Sequence, residues 1–397
     1  MLKVLHIVPS VGSVYGGSSK AVLEMVGVLG RYVETVHLVT TNANGSDRLD
    51  VPLHDWIPAD NYQIQYFPYL AQGDYKFSRA MSHWLWHHVG DYDLVHTHAV
   101  FSIPNWPAYW SCQRHGVPYV VSPHGMLQPW TLSYKGWKKK FFYRLLEKPA
   151  LDRCCGVHAL TRSEAEGLQN LGLNVPLFLL PNGIHRQEFE VLPDSSLFYK
   201  AFPHTQGRTI LLFLGRIDPK KGLDLLIPAF AQAFHQYPDS HLVIAGPDNI
   251  GYQPSVEDAI RAAGCGAAVT FTGMLVGDLK LSALAAANIF VAPSYSEGFS
   301  MSVLEGMAAG LPCVITTGCN FPEAAQEKAA LMIEPKGDQL LQALMTCLGD
   351  RPGAEAMGQR AQKLIFDQYT WSHIAHKLAQ VYQAIHKTQP LPHTYAA

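Results

Sequence analysis

Charge is scarce in this chain: only 16% of its 397 residues are Asp, Glu, Lys or Arg, and the formal net charge is −2. No basic excess points to a nucleic-acid partner. Low charge does not mean disorder here, because 48% of the residues are hydrophobic, enough to bury large cores. The seven cysteines (Cys112, Cys154, Cys155, Cys265, Cys313, Cys319, Cys347) are odd in number and contain no CxxC pair. That argues against a disulfide framework or a zinc site and fits reduced thiols. No apolar run approaches the roughly 18 residues of a membrane span. The opening "MLKVLHIVPS" is too short for one and lacks the small-residue cleavage site of a secretory signal. The expectation is a soluble, cytoplasmic protein. A dinucleotide fingerprint is missing too. "VPSVGSVYGGSSK" is not GxGxxG, and "HLVTTNANG" offers no acidic residue until Asp47, which argues against an NAD-dependent dehydrogenase.

What the chain does contain is one plan used twice. "KVLHIVPSVGSVYGGSSKAVLEMVGVLGRYVETVHLVT" reads as strand, Gly-rich loop, helix, strand, and "TILLFLGRIDPKKGLDLLIPAFAQAFHQYPDSHLVIAGPD" repeats the sequence of elements from Thr209. The strands are continuous apolar runs, as parallel strands covered on both faces require. Further short runs alternate with helical patterns: "YDLVHTHA", "PYVVSPHG" and "CGVHALT" early, "AVTFTG", "NIFVAPS" and "LPCVITT" later. The fold class is therefore α/β, two Rossmann-like doubly wound parallel-sheet domains. The length agrees with two domains of about 150–200 residues. Periodicity lapses in "VLPDSSLFYKAFPHTQG", so residues 1–195 are expected to form one domain and 196–370 the second. Residues 371–397 are expected to add a helix that packs back on the first domain, and a frayed tail. Ligands of such sheets sit beyond the carboxyl ends of strands, so two domains facing a central cleft are the expected site.

"SYSEGFSMSVLEGMAAGLP", residues 294–312, carries Glu297 and Glu305 with seven residues between them. A catalytic pair, a metal site and an ordinary helix start all fit that spacing. A strand ending at Ser294 and a helix beginning near Ser300 or Ser302 would put Glu297 on the loop and Glu305 in the first turns. Free N–H groups around Gly298, Phe299, Ser300, Met301 and Ser302 could then hold a phosphate, with the glutamates taking hydroxyls on either side. A capped helix with well-placed acids is the plainer alternative. No third acid or histidine lies close in sequence, which weakens the metal reading. In "GRIDPKKG", Arg216 follows a strand-end glycine and Lys221 stands where the next helix starts. The two suit a diphosphate, or are solvated surface cations. Gly16 and Gly17 in "GSVYGGSSK" allow close backbone approach to a ligand, or simply make a tight turn. His124 in "VVSPHGMLQPW" and His98 in "VHTHAVF" lie at strand ends, either satisfied by backbone or turned to a substrate. Ser163 and Glu166 in "TRSEAE" read as a capping box.

Taken together, "GRIDPKKGLDLL", "LVIAGPD", "LSALAAANIFVAPS", "SEGFSMSVLEGMAAGLPCV" and "YTWSHIA", in that order, resemble the family 4 retaining glycosyltransferases of GT-B architecture, the "group 1" transferases. The resemblance implies that Glu297 contacts donor-sugar hydroxyls and Glu305 the ribose of a nucleotide sugar. It implies that Arg216 and Lys221 stabilise the departing diphosphate, that Gly17 and its neighbours approach the phosphates, and that His124 lines the sugar pocket. Glu297, His124, Arg216 and Lys221 are the expected catalytic set and His98 an acceptor contact, with no metal and no cofactor. "SPHGMLQPWTLSYKGWKKK" and "TTGCNFPE" resemble a subgroup associated with bacterial exopolysaccharide and colanic-acid-type assembly, whose acceptors are often lipid-linked saccharides. "YKGWKKKFFYRLLEK" interleaves Lys135, Lys138, Lys139, Lys140 and Arg144 with Trp137, Phe141, Phe142 and Leu145. It is either a peripheral contact with the inner face of the plasma membrane or a helix packed on the first domain. A nucleotide-sugar epimerase and a non-catalytic nucleotide-sugar-binding partner are the alternative functions.

Overall fold

A computed structural model describes residues 2–72, 75–127 and 142–392. The chain divides into two compact units, one of Met1–Gly183 with Trp371–Ala397, the other of Ile184–Thr370.

The first unit is built on an eight-stranded sheet. Its strands are β1 (Lys3–Ser10), β2 (Thr35–Thr41), β3 (Trp56–Pro58), β4 (Gln63–Phe67), β5 (Leu94–His98), β6 (Tyr119–Ser122), β7 (Gly156–Ala159) and β8 (Leu177–Leu179). Their order is β8-β7-β6-β5-β1-β2-β4-β3, all parallel except the edge strand β3. Neither β3 nor β4 is expected from the sequence, because β3 is only three residues long and Gln63 and Gln65 interrupt the apolar run of β4. Helices α1 (Gly17–Leu29), α2 (Arg79–His88), α3 (Asn105–His115) and α4 (Arg162–Asn170) lie along the chain between strands.

The second unit has six parallel strands: β9 (Thr209–Leu214), β10 (Ser240–Ala245), β11 (Val269–Gly273), β12 (Ile289–Ala292), β13 (Cys313–Thr316) and β14 (Leu331–Ile333). Their order is β11-β10-β9-β12-β13-β14. Its helices include α5 (Leu223–Gln236), α6 (Gln253–Ala262), α7 (Gly277–Ala286), α8 (Met301–Ala308), α9 (Gly337–Gly349) and α10 (Arg351–Gln368). In α5, Leu223, Leu226, Ile227 and Phe230 repeat at helical spacing and are all fully buried. Each such side chain contributes roughly 1.5–3 kcal/mol of burial.

Both sheets start in the middle and wind outward in two directions, so strand order reverses beside the first strand of each. Such a switch point leaves a crevice at the carboxyl ends of the two central strands. In the first unit these strands are β1 and β5; in the second they are β9 and β12.

Residues 184–195 belong to the second unit, which moves the boundary from its expected place at 195/196. Ile184 donates its N–H to the Tyr369 carbonyl at 2.9 Å, and Ile184 and Phe189 are buried in that unit's core. The sequence from 191 to 207 loses its periodicity because it forms only short helices, among them Ser196–Ala201. The closing helix α11 (Trp371–His386) belongs to the first unit. Its buried Trp371 donates to Glu24 of α1 at 2.7 Å.

Candidate functional site

In the second unit three loops meet beyond the switch point. The loop after β9 runs through Arg216 to a short turn, Pro219–Lys221, opened by Asp218, whose carboxylate accepts the Lys220 N–H. Gly222 ends the turn at φ 74°, and a Cβ there would stand 2.0 Å from the Pro293 carbonyl oxygen of the loop after β12. Only glycine permits that approach. The same loops are tied by Tyr295 N–H donating to the Lys220 carbonyl at 2.8 Å. The loop after β13 closes on the other side: Glu297 N–H donates to the Gly318 carbonyl at 2.8 Å, and Asn320 Nδ2 donates to the Glu297 carbonyl.

This scaffold gives each of the two acids its own partners. Glu297 pairs directly with Lys221 and also accepts from Ser294 Oγ at 2.8 Å. Glu305, in the second turn of α8, pairs with Lys280 of α7 at 2.6 Å. The glutamates thus have separate lysine partners, and both pairs are largely buried. Lys280, Ser294 and Asn320 were missed, because nothing in their local sequence marks them and only the fold brings them in. Burial first and the neighbouring Arg216 charge second depress the Lys220 ammonium below its ordinary range. The crowding of Arg216, Lys220 and Lys221 makes this a site that favours an anion.

Ser300 stands at the N-cap of α8 but makes no capping bond with its side chain, which lies 3.2 Å from Ser302 Oγ. The rings of Phe299, Phe321 and Tyr369 pack together, and Met301 packs against the same core. Gly298, Phe299 and Met301 therefore have backbone, not side chains, to offer a ligand.

The first unit brings its own residues to β-strand ends. Gly16 is the N-cap of α1 at φ 73° and Gly17 the first helical residue. His124, just past β6, adopts a left-handed φ of 53°. The following Gly125 donates its N–H to Glu164, whose second oxygen accepts from Leu160 N–H at 2.8 Å. Thr161 caps α4 by accepting the Glu164 N–H at 3.1 Å. The cap is thus Thr161, not Ser163, and the Glu164 carboxylate holds the Leu160 N–H and the His124–Gly125 turn.

Behind that turn lies a cluster of histidines. His98 is buried, with Nδ1 3.0 Å from His124 Nε2 and Nε2 2.9 Å from His6 Nδ1. Both of its ring nitrogens are engaged, and it stands behind His124. A second chain runs alongside it, and a carbonyl fixes its direction. Because the Leu180 oxygen only accepts, His158 Nε2 must donate to it at 2.8 Å. His158 Nδ1 then accepts from Ser122 Oγ at 2.8 Å, Ser122 accepts from His96 Nε2 at 2.8 Å, and His96 Nδ1 accepts from Tyr382 of α11. Every ring in this chain is neutral and satisfied. Burial lowers all five imidazoles, His6 and His124 to about 3 and His158 to about 4, with His96 and His98 also depressed by burial and neighbouring histidines. His6, His96 and His98 offer nitrogens within 4.8 Å of one another, the spacing of a metal site. Both His96 nitrogens already have partners, however, so ligation through either would displace a hydrogen bond.

Of the interfacial segment, residues 134–141 lie outside the described residues; Arg144 and Leu145 are both exposed. Among the described residues no helix is long and apolar enough to cross a membrane.

Residues 197–382 match the family described as "Glycosyl transferases group 1", and residues 16–183 match the "Glycosyl transferase 4-like domain". A glycosyltransferase of Methanocaldococcus jannaschii is 27% identical over 58% of this chain and 60% of its own length. A GDP-mannose-dependent alpha-(1-6)-phosphatidylinositol monomannoside mannosyltransferase of Mycobacterium tuberculosis is 30% identical over 50% and 54%. The chain thus spans a little over half the length of these two relatives. The phosphatidyl-myo-inositol mannosyltransferase of Mycolicibacterium smegmatis is 25% identical over 97% of this chain and 94% of its own. Among solved structures, sucrose-phosphate synthase from Thermosynechococcus elongatus has a TM-score of 0.78 at 20% identity, covering 98% of this chain and 100% of that one. Anabaena HepE in complex with UDP and glucose has a TM-score of 0.77 at 16% identity, covering 97% and 100%. The two matched segments together span most of the chain, and the shared architecture is the GT-B fold.

Proposed function

We propose that this chain is a family 4 retaining glycosyltransferase that moves a hexose-type sugar from a nucleotide-diphosphate sugar to a saccharide acceptor. The acceptor is lipid-linked and the product a bacterial exopolysaccharide or other cell-surface glycan. The observation that carries the reading is the meeting of Arg216, Lys221 and Glu297 on loops at the switch point of the second unit, beside the uncapped start of α8.

As the bond from the anomeric carbon to the diphosphate breaks, negative charge grows on the phosphates. Arg216, Lys221 and the first N–H groups of α8 would stabilise it there without moving. Lys221, held by Glu297, is preorganised for that task. Glu297 would accept from donor-sugar hydroxyls, and Glu305, set by Lys280, from the ribose. The acceptor attacks the same face that the diphosphate leaves, and a phosphate oxygen takes its proton. The protein's own cations supply the positive charge, so the reaction proceeds without a metal.

A lipid-linked acceptor is favoured by the relatives named as phosphatidylinositol mannosyltransferases and by the exposed Leu145 beside exposed Arg144. The protein would then work in the cytoplasm, at the inner face of the plasma membrane. A panel of nucleotide sugars, incubated with and without membrane lipid extract, tests the proposal. Glycosyl incorporation into a lipid-extractable product supports it. Donor interconversion without an acceptor, or tight donor binding without turnover, overturns it.

A further inference from the structure

The chain through His98 ends differently from the one through His158 and His96. It runs from His124 through His98 to His6, and His6 Nε2 is buried with no hydrogen-bond partner. Three neutral rings in a row allow two proton arrangements. In one, His6 Nδ1–H donates to His98 Nε2, His98 Nδ1–H donates to His124 Nε2, and the proton of His124 sits on Nδ1. In the other, every bond is reversed, and His6 Nε2 becomes an N–H donor buried with nothing to receive it.

The two arrangements differ in what is left unmade. An orphaned buried N–H is rare in native proteins, whereas an unfilled acceptor lone pair is better tolerated. The dead end at His6 therefore selects the first arrangement. Its effect emerges at the other end of the chain, at His124, which is only partly buried. Among the described residues, His124 Nδ1 has no protein partner, and the left-handed turn that carries the ring is pinned through Gly125 to Glu164.

We propose that His6 and His98 are positioning residues that hold neutral His124 as its Nδ1–H tautomer, so that His124 donates a hydrogen bond to a hydroxyl oxygen of the sugar substrate and does not act as a base. The tautomer follows from the hydrogen-bond chain alone; that a sugar oxygen receives the bond rests on the transferase reading. An isolated neutral imidazole in water prefers the proton on Nε2, so the protein is imposing the less common form. The hydroxyl of a sugar accepts from such a group without any proton leaving it, which suits a step whose proton goes to phosphate.

Selective 15N-histidine labelling of the full chain reads the tautomer directly, with His124→Gln assigning the signal. The expected spectrum shows a pyrrole-type nitrogen at Nδ1 and a pyridine-type nitrogen at Nε2 of His124. The reverse pattern overturns the proposal. His98→Asn keeps a donor amide near the place of Nδ1 and should leave the His124 signal as it is. His98→Leu removes the donor, so His124 should pass to the Nε2–H form while kcat/KM falls roughly three- to tenfold, the effect of one hydrogen bond. A folded His98→Leu protein with His124 still protonated on Nδ1 refutes the relay. Should that variant not fold, the wild-type and His98→Asn spectra decide. Because the spectra need no substrate, a wild-type Nδ1–H signal without any sugar transfer would sink the function and leave the relay standing.

Discussion

Acidification should unfold the first unit early, and the histidine chains say how early. His6, His96, His98 and His158 are buried, and each is held below the ordinary imidazole value of 6.5, first of all by burial. A group whose folded value is depressed binds its proton only after unfolding, so its contribution is whole above pH 6.5 and is lost as pH falls. At pH 5.5 each histidine costs about 1.4 kcal/mol and the four together about 6 kcal/mol. That approaches the roughly 5–15 kcal/mol by which domains are stable at all. Glu147 works in the opposite direction. Burial raises its carboxyl to about 7, so the folded state takes up that proton first and gains stability as pH falls from 7 towards 4.5. It offsets about one of the four histidines, leaving a net uptake on the order of three protons on unfolding near pH 5.5. All eight tryptophans lie in this unit, so their fluorescence follows it without contribution from the other. Urea titrations at successive pH values should show the midpoint falling steadily below pH 6.5. A tryptophan transition indifferent to pH between 6.5 and 4.5 would refute the neutral, buried chains.

Removing one member of the Lys221–Glu297 pair leaves a mostly buried charge alone, so Lys221→Met should destabilise the second unit by about 3 kcal/mol. Lys221→Met with Glu297→Gln should recover most of that in calorimetry but none of the activity; a double variant no more stable than the singles would show that the charges do not couple. Arg216→Ala is expected to leave the melting temperature within a few degrees and to lower kcat at least about a hundredfold. Transfer at near-normal rate by that variant removes Arg216 from the mechanism. Chelator should leave transfer unchanged, and a strict dependence on added divalent ion would contradict the proposed role of the protein's cations. Vesicle flotation should recover the protein with anionic and not with neutral lipid, and failure to float with either removes the membrane proposal.

The fold was legible because doubly wound sheets advertise themselves: buried parallel strands such as "TILLFL" are unbroken apolar runs, and this one is followed by a glycine and an amphipathic helix. Trp56–Pro58 and Gln63–Phe67 were not legible, since the first is only three residues long and the second alternates glutamines with apolar residues. The boundary was misplaced because periodicity marks elements, whereas domain membership follows from which core a residue fills, as Ile184 and Phe189 do. In the site, Glu297, Lys221 and Arg216 could be picked out because they follow strand ends. Lys280 could not, as a lysine on a helix has the same sequence signature whether it faces water or Glu305. The histidine partners of His98 were not legible for a related reason: a strand-end histidine shows nothing of its neighbours in sequence, and only the parallel register of β5 with β1 and β6 brings them together.

The two units hold their buried polar groups in different chemical forms, and the difference suits what each is proposed to bind. In the second unit Lys221 and Lys280 are paired with Glu297 and Glu305, so fixed charges survive burial where a diphosphate would be received. In the first unit the polar strand ends carry neutral imidazoles, Ser122 and Tyr382, joined donor to acceptor. A sugar hydroxyl has no charge to match, and a cation there would be held at the expense of desolvation with no anion to repay it. Under the proposed function, burial that keeps histidine uncharged would be part of the selectivity. Replacing His98 by Lys should cost stability in the first unit, read by tryptophan fluorescence, with no gain in nucleotide affinity; tighter nucleotide binding by that variant would mean that charge, not neutrality, is what this end of the sheet had been lacking.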